Sequence, residues 1–238
     1  MRSSPTFSTR SRVAATKTPP DLPPAGIIRT REDLRSGIAA LARSEAVFGR
    51  VYRELGLPGL RRRRPTFDCL VHIVVDQMIS IDAARAIRTR LLSAIKPFDA
   101  ETIARLSPEL LLGLGLSRAK AGTIGLLARA IATGELDLSR LTRLSDADVR
   151  SALTMHKGIG PWTAEIFMLT ALGRSDAWPA GDVALQTAVQ DLFGLPRRPG
   201  FSEMHDIAGA WQPWRAVAAR LLWLHYRRMR GLPLRAQA

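Results

Sequence analysis

A single cysteine, Cys69, stands in 238 residues. One thiol cannot close an internal disulfide, and it cannot furnish a four-cysteine zinc or iron–sulfur site. Cys69 sits in an apolar run and reads as a small core residue. Uninterrupted apolar runs are short too, and none approaches the roughly 18 residues of a membrane-spanning helix. The N-terminus is basic but lacks the apolar segment of a signal peptide, so the expected location is cytoplasmic, nucleoid-associated in a bacterium. No stretch alternates apolar and polar residues as a strand does, and no internal repeat is visible. Acidic residues are scarce: 21 Asp and Glu stand against 35 Lys and Arg, a formal net charge of +14. That excess is beyond what solubility needs and points to a polyanionic partner.

What is present suits a folded helical protein. Hydrophobic residues make up 46% of the chain, enough for a real core. Residues 1–25 are rich in Ser, Thr and Pro with scattered cations, and are expected to form a disordered basic arm. The remainder, 26–238, reads as an all-α domain. Thr30 can cap a helix running to Leu55. Arg61 to Arg64 form a run that either grips phosphates or is a solvated loop. Thr66 to Ile79 is apolar nearly all round, as a central helix must be, with Asp76-Gln77-Met78 at its end. Ser80 opens a helix to Ile95, Ser107-Pro108-Glu109 a short one, and Ser117 one to Ala132 closed by Gly134. Phe201–Trp211 and Pro213–Arg230 make the last two helices.

The chain is organised around residues 144–195. Ser145 with Asp148 is a capping pair for a helix that stops at Lys157-Gly158-Ile159-Gly160, where two glycines permit positive φ. Pro161 suits the first position of the next helix and Gly173 the residue past its end. Such a tight turn between helices can aim backbone N–H groups at a phosphate, a grip that ignores base sequence. On its own the pattern is equally consistent with a plain helical hairpin. Asp182 lies 22 residues beyond Gly160, at the start of a third helix, after the stiff approach Pro179-Ala180-Gly181. An Asp there is ordinarily a cap. A carboxylate at the positive end of a helix also suits the task of facing a developing cation, as in glycosidic cleavage through an oxocarbenium-like state.

GIGPWTAEIF followed by PAGDVALQ resembles the signature of the helix-hairpin-helix DNA glycosylases, and in particular the alkylation-repair branch, the 3-methyladenine DNA glycosylase II family. The resemblance extends to VVDQMISIDAARAI, LGLSRAKAGTI and WQPWRAVAARLLWLHY, over roughly residues 45–230. It implies two helical subdomains with the active site in the cleft between them, residues 66–135 and 136–195 flanking it. It implies a monofunctional enzyme that flips an alkylated purine (3-methyladenine or 7-methylguanine type) out of double-stranded DNA and hydrolyses its N-glycosidic bond in base excision repair, acting as a monomer. Asp182 matches the catalytic aspartate. Trp162 falls where bifunctional relatives carry a lysine nucleophile, and an indole cannot form a Schiff base, so no AP-lyase activity is expected. Trp162 and Trp223 match aromatic walls of the base pocket, suited to a cationic base by stacking and cation–π attraction, and Ile166 lines the same pocket. Trp178, Trp211 and Trp214 read as core.

Met78 matches the residue wedged into the duplex on flipping, with Gln77 beside the gap. Lys157, Gly158, Ile159 and Gly160 form the phosphate hairpin, and the backbone carbonyls of Thr154, His156 and Ile159 match a site for K+ or Na+. No cofactor is implied for catalysis, and no iron–sulfur cluster is possible. The chain departs from the family at Asp76, where relatives often carry an uncharged residue, at Ile166, where an aromatic can occur, and in having too few residues before Thr66 for the β-rich N-terminal domain of some members. Two alternatives stay open: a glycosylase for deaminated or mismatched bases, and a non-catalytic DNA-binding module.

Overall fold

The computed structural model describes residues 26–60 and 62–234. The expected basic arm at 1–25 and Arg61 lie outside the described residues. Twelve α-helices follow one another among the described residues, with no strand beyond a single bridge between Ile27 and Arg174. The helices are α1 (Arg31–Ser44), α2 (Ala46–Leu55), α3 (Phe67–Asp76), α4 (Ile81–Ala94), α5 (Ala100–Ala104), α6 (Pro108–Gly113) and α7 (Arg118–Ala132), then α8 (Asp146–Thr154), α9 (Pro161–Phe167), α10 (Val183–Leu192), α11 (Phe201–Ala208) and α12 (Arg215–Met229). The all-α expectation holds.

Local capping chemistry sets most of the starts. Thr30, Thr66, Ser80, Asp99, Ser107, Ser117, Ser145 and Asp182 each accept a hydrogen bond from the backbone N–H three residues on. Each satisfies one of the orphan donors of a helix start, a bond worth about 1 kcal/mol. The single helix expected from Thr30 to Leu55 is two helices instead. Glu45 adopts an extended backbone (φ −137°, ψ 102°) that ends α1 and begins α2. Both helices pack on α12. A straight rod could not lay Leu34, Ile38 and Leu41 as well as Phe48 and Val51 into one core, so tertiary packing breaks a run that has no breaker in its sequence.

α3 is the central helix. Phe67, Cys69, Leu70, Val71, Ile73, Val74 and Val75 are all buried, and the helix packs against α4, α7 and α9. Truncating one of the fully buried members, such as Leu70→Ala, would cost about 2–5 kcal/mol through lost transfer energy and a residual cavity. Cys69 is 1% exposed, and burial pushes its thiol up to about 11, consistent with an inert core residue. α3 ends at Asp76, three residues before the expected Ile79. Gln77 already leaves the helical region (φ −55°, ψ 125°), and Met78 is left-handed (φ 56°). Trp178 and Trp211 are buried edge to face, 5.3 Å between ring centroids, and Trp214 is partly buried against the same core. α9 runs on into one π-helical turn, Met168–Leu172, closed by Gly173 in the left-handed region (φ 71°).

Candidate active site

The hairpin joins α8 to α9. Met155 still has helical φ and ψ, and the turn is closed by Ile159 N donating to His156 O at 3.0 Å. Of the two glycines, only Gly158 uses positive φ (90°). A Cβ there would lie 1.9 Å from Thr123 Oγ1 of α7, so the turn presses its backbone directly against α7. Gly160 is extended (φ −89°, ψ 176°) and serves as the N-cap of α9, with Pro161 at the first helical position. Lys157 and Gly158 are exposed, and Ile159 is buried beneath them.

Asp182 caps α10, and the turn before it is held at several points. Ala180 N donates to Trp178 O and Asp182 N to Pro179 O, both at 2.9 Å. Gln186 Nε2, one turn into α10, donates to Ala180 O at 3.1 Å. Trp178 N donates to Glu165 Oε2 at 2.7 Å, and Glu165 in turn accepts from Arg150 Nε. Glu165 is 7% exposed, so this buried carboxylate on α9 has its charge and its lone pairs matched. The approach to Asp182 is therefore rigid.

Three N–H groups converge on the Asp182 carboxylate. Oδ1 accepts from Leu185 N (3.0 Å) and from Trp223 Nε1 (3.2 Å), and Oδ2 accepts from Trp162 Nε1 (3.0 Å). Trp162 comes from α9 and Trp223 from α12, so two further helices bring their indoles to the group that caps α10. Each indole N–H is thereby satisfied by the carboxylate. Asp182, Trp162, Trp223 and Ile166 all line one cavity of about 760 Å³, a size ordinary for ligand sites. Ile73, Asp76, His72, Leu169, Thr170, Tyr226 and Ile81 continue its wall.

The lining also includes charged groups. Asp76 pairs with Arg88, and Arg63 Nη2 lies 3.0 Å from His72 Nε2. A guanidinium only donates, so His72 Nε2 is the acceptor and the ring is neutral. Burial, with Arg63 and Arg88 beside it, pushes His72 down to about 3. Its 3.4 Å approach to Asp76 is thus not an ion pair. Burial pushes the Asp76 carboxyl up, against the pull of Arg88 and Arg63. In the arginine run, Arg62 donates to Ile28 O at 2.7 Å and Arg63 N to Thr170 O at 2.9 Å. These residues join the N-terminal segment to the wall of the cavity.

Met78 lies outside the cavity wall, 97% exposed, on the loop between α3 and α4. The Gln77 side chain turns to the hairpin, donating to Gly158 O at 3.3 Å and to Thr163 Oγ1 at 2.8 Å. Sequence reasoning passed over Lys120, Glu165 and the Arg63–His72–Arg88 cluster around Asp76. A signal was present for two of them: Lys120 is a cation in the first turn of a helix, and Glu165 is an acid within an otherwise apolar segment. Among the described residues no group of three or more His, Cys, Asp or Glu side chains is placed to hold a metal ion.

Fold and site together define a helix-hairpin-helix protein in which a carboxylate held by two indole N–H groups lines a cavity that both tryptophans share. The chain belongs to the HhH-GPD superfamily of base excision DNA repair proteins, whose model matches residues 71–213. It is 30% identical over 168 residues to a putative DNA-3-methyladenine glycosylase, YfjP, of Bacillus subtilis, a match covering 66% of this chain and 58% of that relative. Its fold is similar to the 3-methyladenine DNA glycosylase Mag1 of Schizosaccharomyces pombe solved with abasic DNA: TM-score 0.73, 25% identity, 85% of this chain and 100% of that one. It is also similar to the DNA-3-methyladenine glycosidase of Bacillus halodurans: TM-score 0.68, 29% identity, 82% of this chain and 91% of that one.

Proposed function

We propose that this protein is a monofunctional DNA glycosylase that removes alkylated purines from duplex DNA. The observation that carries the reading is the Asp182 carboxylate, held by the Trp162 and Trp223 N–H groups at the edge of the cavity those rings line. The relatives' names supply the substrate class. In this reading a damaged nucleotide leaves the stack and its base enters the cavity between helical subdomains, against the indole faces. An alkylated purine already carries positive charge, which indole faces attract. It therefore leaves without a general acid: the C1′–N bond breaks, its electron pair goes to the base, and the sugar becomes an oxocarbenium-like cation. Asp182 faces that cation and steers water to C1′, with the water's proton passing to the carboxylate or to solvent. Trp162 stands where a lysine would make a Schiff base, so the abasic product is left unnicked.

The remaining roles follow from position. Lys157, Gly158, Ile159 and Gly160 receive a backbone phosphate at the exposed turn. Were a K+ or Na+ ion bound at the turn, the backbone carbonyls of Thr154, His156 and Ile159 would hold it, and it would supply positive charge to attract the phosphate. Met78 enters the gap in the stack, and Gln77, after releasing the hairpin, meets the strand beside it. The protein acts as a monomer on one lesion. The test is direct: duplexes carrying 3-methyladenine, 7-methylguanine, hypoxanthine or uracil are incubated with the protein and released bases separated by chromatography. Release of the methylated purines supports the reading. Release of hypoxanthine or uracil alone moves the substrate to deaminated bases, and binding with no release leaves a DNA-binding module.

A further inference from the structure

Met78 is, among the described residues, the one non-glycine residue with positive φ (56°), and its side chain is almost fully exposed. A left-handed conformation costs free energy for a residue with a Cβ, and an exposed side chain gains no packing to offset it. Something else must hold the backbone there. Lys120 of α7 does so geometrically: its Nζ donates to Val75 O at 2.8 Å and to Gln77 O at 2.6 Å. Both are carbonyls at the end of α3, which lack helical partners and attract a cation. The Gln77 carbonyl belongs to the peptide unit that carries the Met78 N–H. Fixing that oxygen fixes the plane from which Met78 departs. From the other side, the Gln77 side chain is bonded to Gly158 O and Thr163 Oγ1, so this peptide is clamped between α7 and the hairpin.

Lys120 has no local reason for its place. It is the third residue of α7, at the positive end of its own helix, and burial pushes its ammonium down, opposed by Asp76. Its favourable partners are the α3 carbonyls. We infer that Lys120 is a positioning residue for Met78, setting the Gln77–Met78 peptide so that Met78 stands exposed and left-handed before DNA arrives. The inference rests on the wedge role proposed above.

Four proteins test it: Lys120→Met, Lys120→Arg, Met78→Ala, and Lys120→Met with Met78→Ala. Single-turnover release of a methylated purine is measured from a normal pair and from a mismatch, where unstacking costs less. Fluorescence of 2-aminopurine placed next to the lesion reports unstacking whether or not a base is released. Lys120→Met should slow release from the pair by about tenfold and from the mismatch by less than about twofold, with a matching loss of fluorescence rise. Lys120→Arg should restore most of it, and Lys120→Met should add nothing once Met78 is alanine. Equal slowing on both substrates, no slowing, or full additivity with Met78→Ala would overturn the positioning role. If Met78→Ala leaves unstacking unchanged, the wedge reading fails and this inference with it; if unstacking depends on Met78 and Lys120 while no base is released, the positioning role stands and the glycosylase reading fails. Should Lys120→Met not fold, Lys120→Gln keeps a shorter, uncharged NH2 donor group for the two carbonyls and should lie between the parent and Met78→Ala.

Discussion

Asp182→Asn separates charge from shape at the proposed catalytic group. In the folded protein Oδ1 takes two N–H donors, Leu185 and Trp223, and Oδ2 takes one, Trp162. An asparagine keeps most bonds if its oxygen occupies the Oδ1 place, which sets its NH2 against the Trp162 N–H. One bond is lost and two donors face each other, a cost of about 1–3 kcal/mol. At roughly 2–4 °C per kcal/mol for a domain of this size, the melting temperature should fall by roughly 2–12 °C, and the variant stays folded at 25 °C. The catalytic loss is larger. A unit charge about 4 Å from a developing cation is worth about 4 kcal/mol at the effective dielectric of a half-buried site. Converted at about 1.4 kcal/mol per decade, that is a rate loss of about 10³-fold. The assay is single-turnover release of 7-methylguanine from a duplex at 25 °C, with duplex affinity measured alongside. Affinity should change by less than about threefold, because in the proposed binding mode it is the hairpin, and not Asp182, that would meet the backbone phosphate. Release within about tenfold of the parent, from a protein shown to be folded, would refute the assignment.

Other perturbations probe the surrounding structure. Gly158→Ala forces a Cβ into Thr123 at φ 90° and should cost about 2 kcal/mol or more in denaturant unfolding and weaken duplex binding, whereas Gly160→Ala, with open space at its Cβ position, should be near neutral; equal effects would count against the hairpin geometry. His72 is held neutral with its pKa pushed down to about 3, while the unfolded chain takes up a proton near 6.5. The unfolded state then binds more protons between those values, so this group's stabilisation is complete above about pH 6.5 and is lost as pH falls toward 3. Asp76, raised by burial, works the other way, since the folded state then holds its proton to higher pH. The difference between parent and His72→Gln isolates the histidine, and the variant's stability should decline less between pH 6.5 and 4.5. Finally, borohydride should trap no covalent complex with abasic DNA, and gel analysis should show intact strands after release; a trapped adduct would point to an amine nucleophile elsewhere in the chain.

Features written into neighbouring residues were readable from the sequence. The caps at Ser80, Ser117, Ser145 and Asp182 each act on the backbone N–H three residues on, a range the sequence displays directly. The glycine hairpin likewise needs only Gly158 and Gly160 in register with Pro161. The break at Glu45 was not readable, because nothing local requires it and what it serves is the packing of α1 and α2 on the distant α12. Nor was the mutual geometry of the site. Trp162 and Trp223 lie 20 and 41 residues from Asp182, and that their N–H edges meet the carboxylate depends on the packing of α9, α10 and α12. The same holds for Lys120, whose partners are 43 and 45 residues away, and for Glu165, whose hydrogen bond to Trp178 N spans 13. Charge at such positions is visible in a sequence, but the carbonyl or N–H that justifies it is not.

The left-handed Met78 has a consequence for engineering. Glycine and asparagine accept that backbone readily, while methionine pays about 1 kcal/mol for it without burying its side chain. A thermostability screen carried out without DNA would therefore favour Met78→Gly or Met78→Asn, the kind of gain usually accepted as harmless. If Met78 enters the stack as proposed, such a variant would melt later and repair less, and the unfavourable backbone at Met78 would be part of how the protein works.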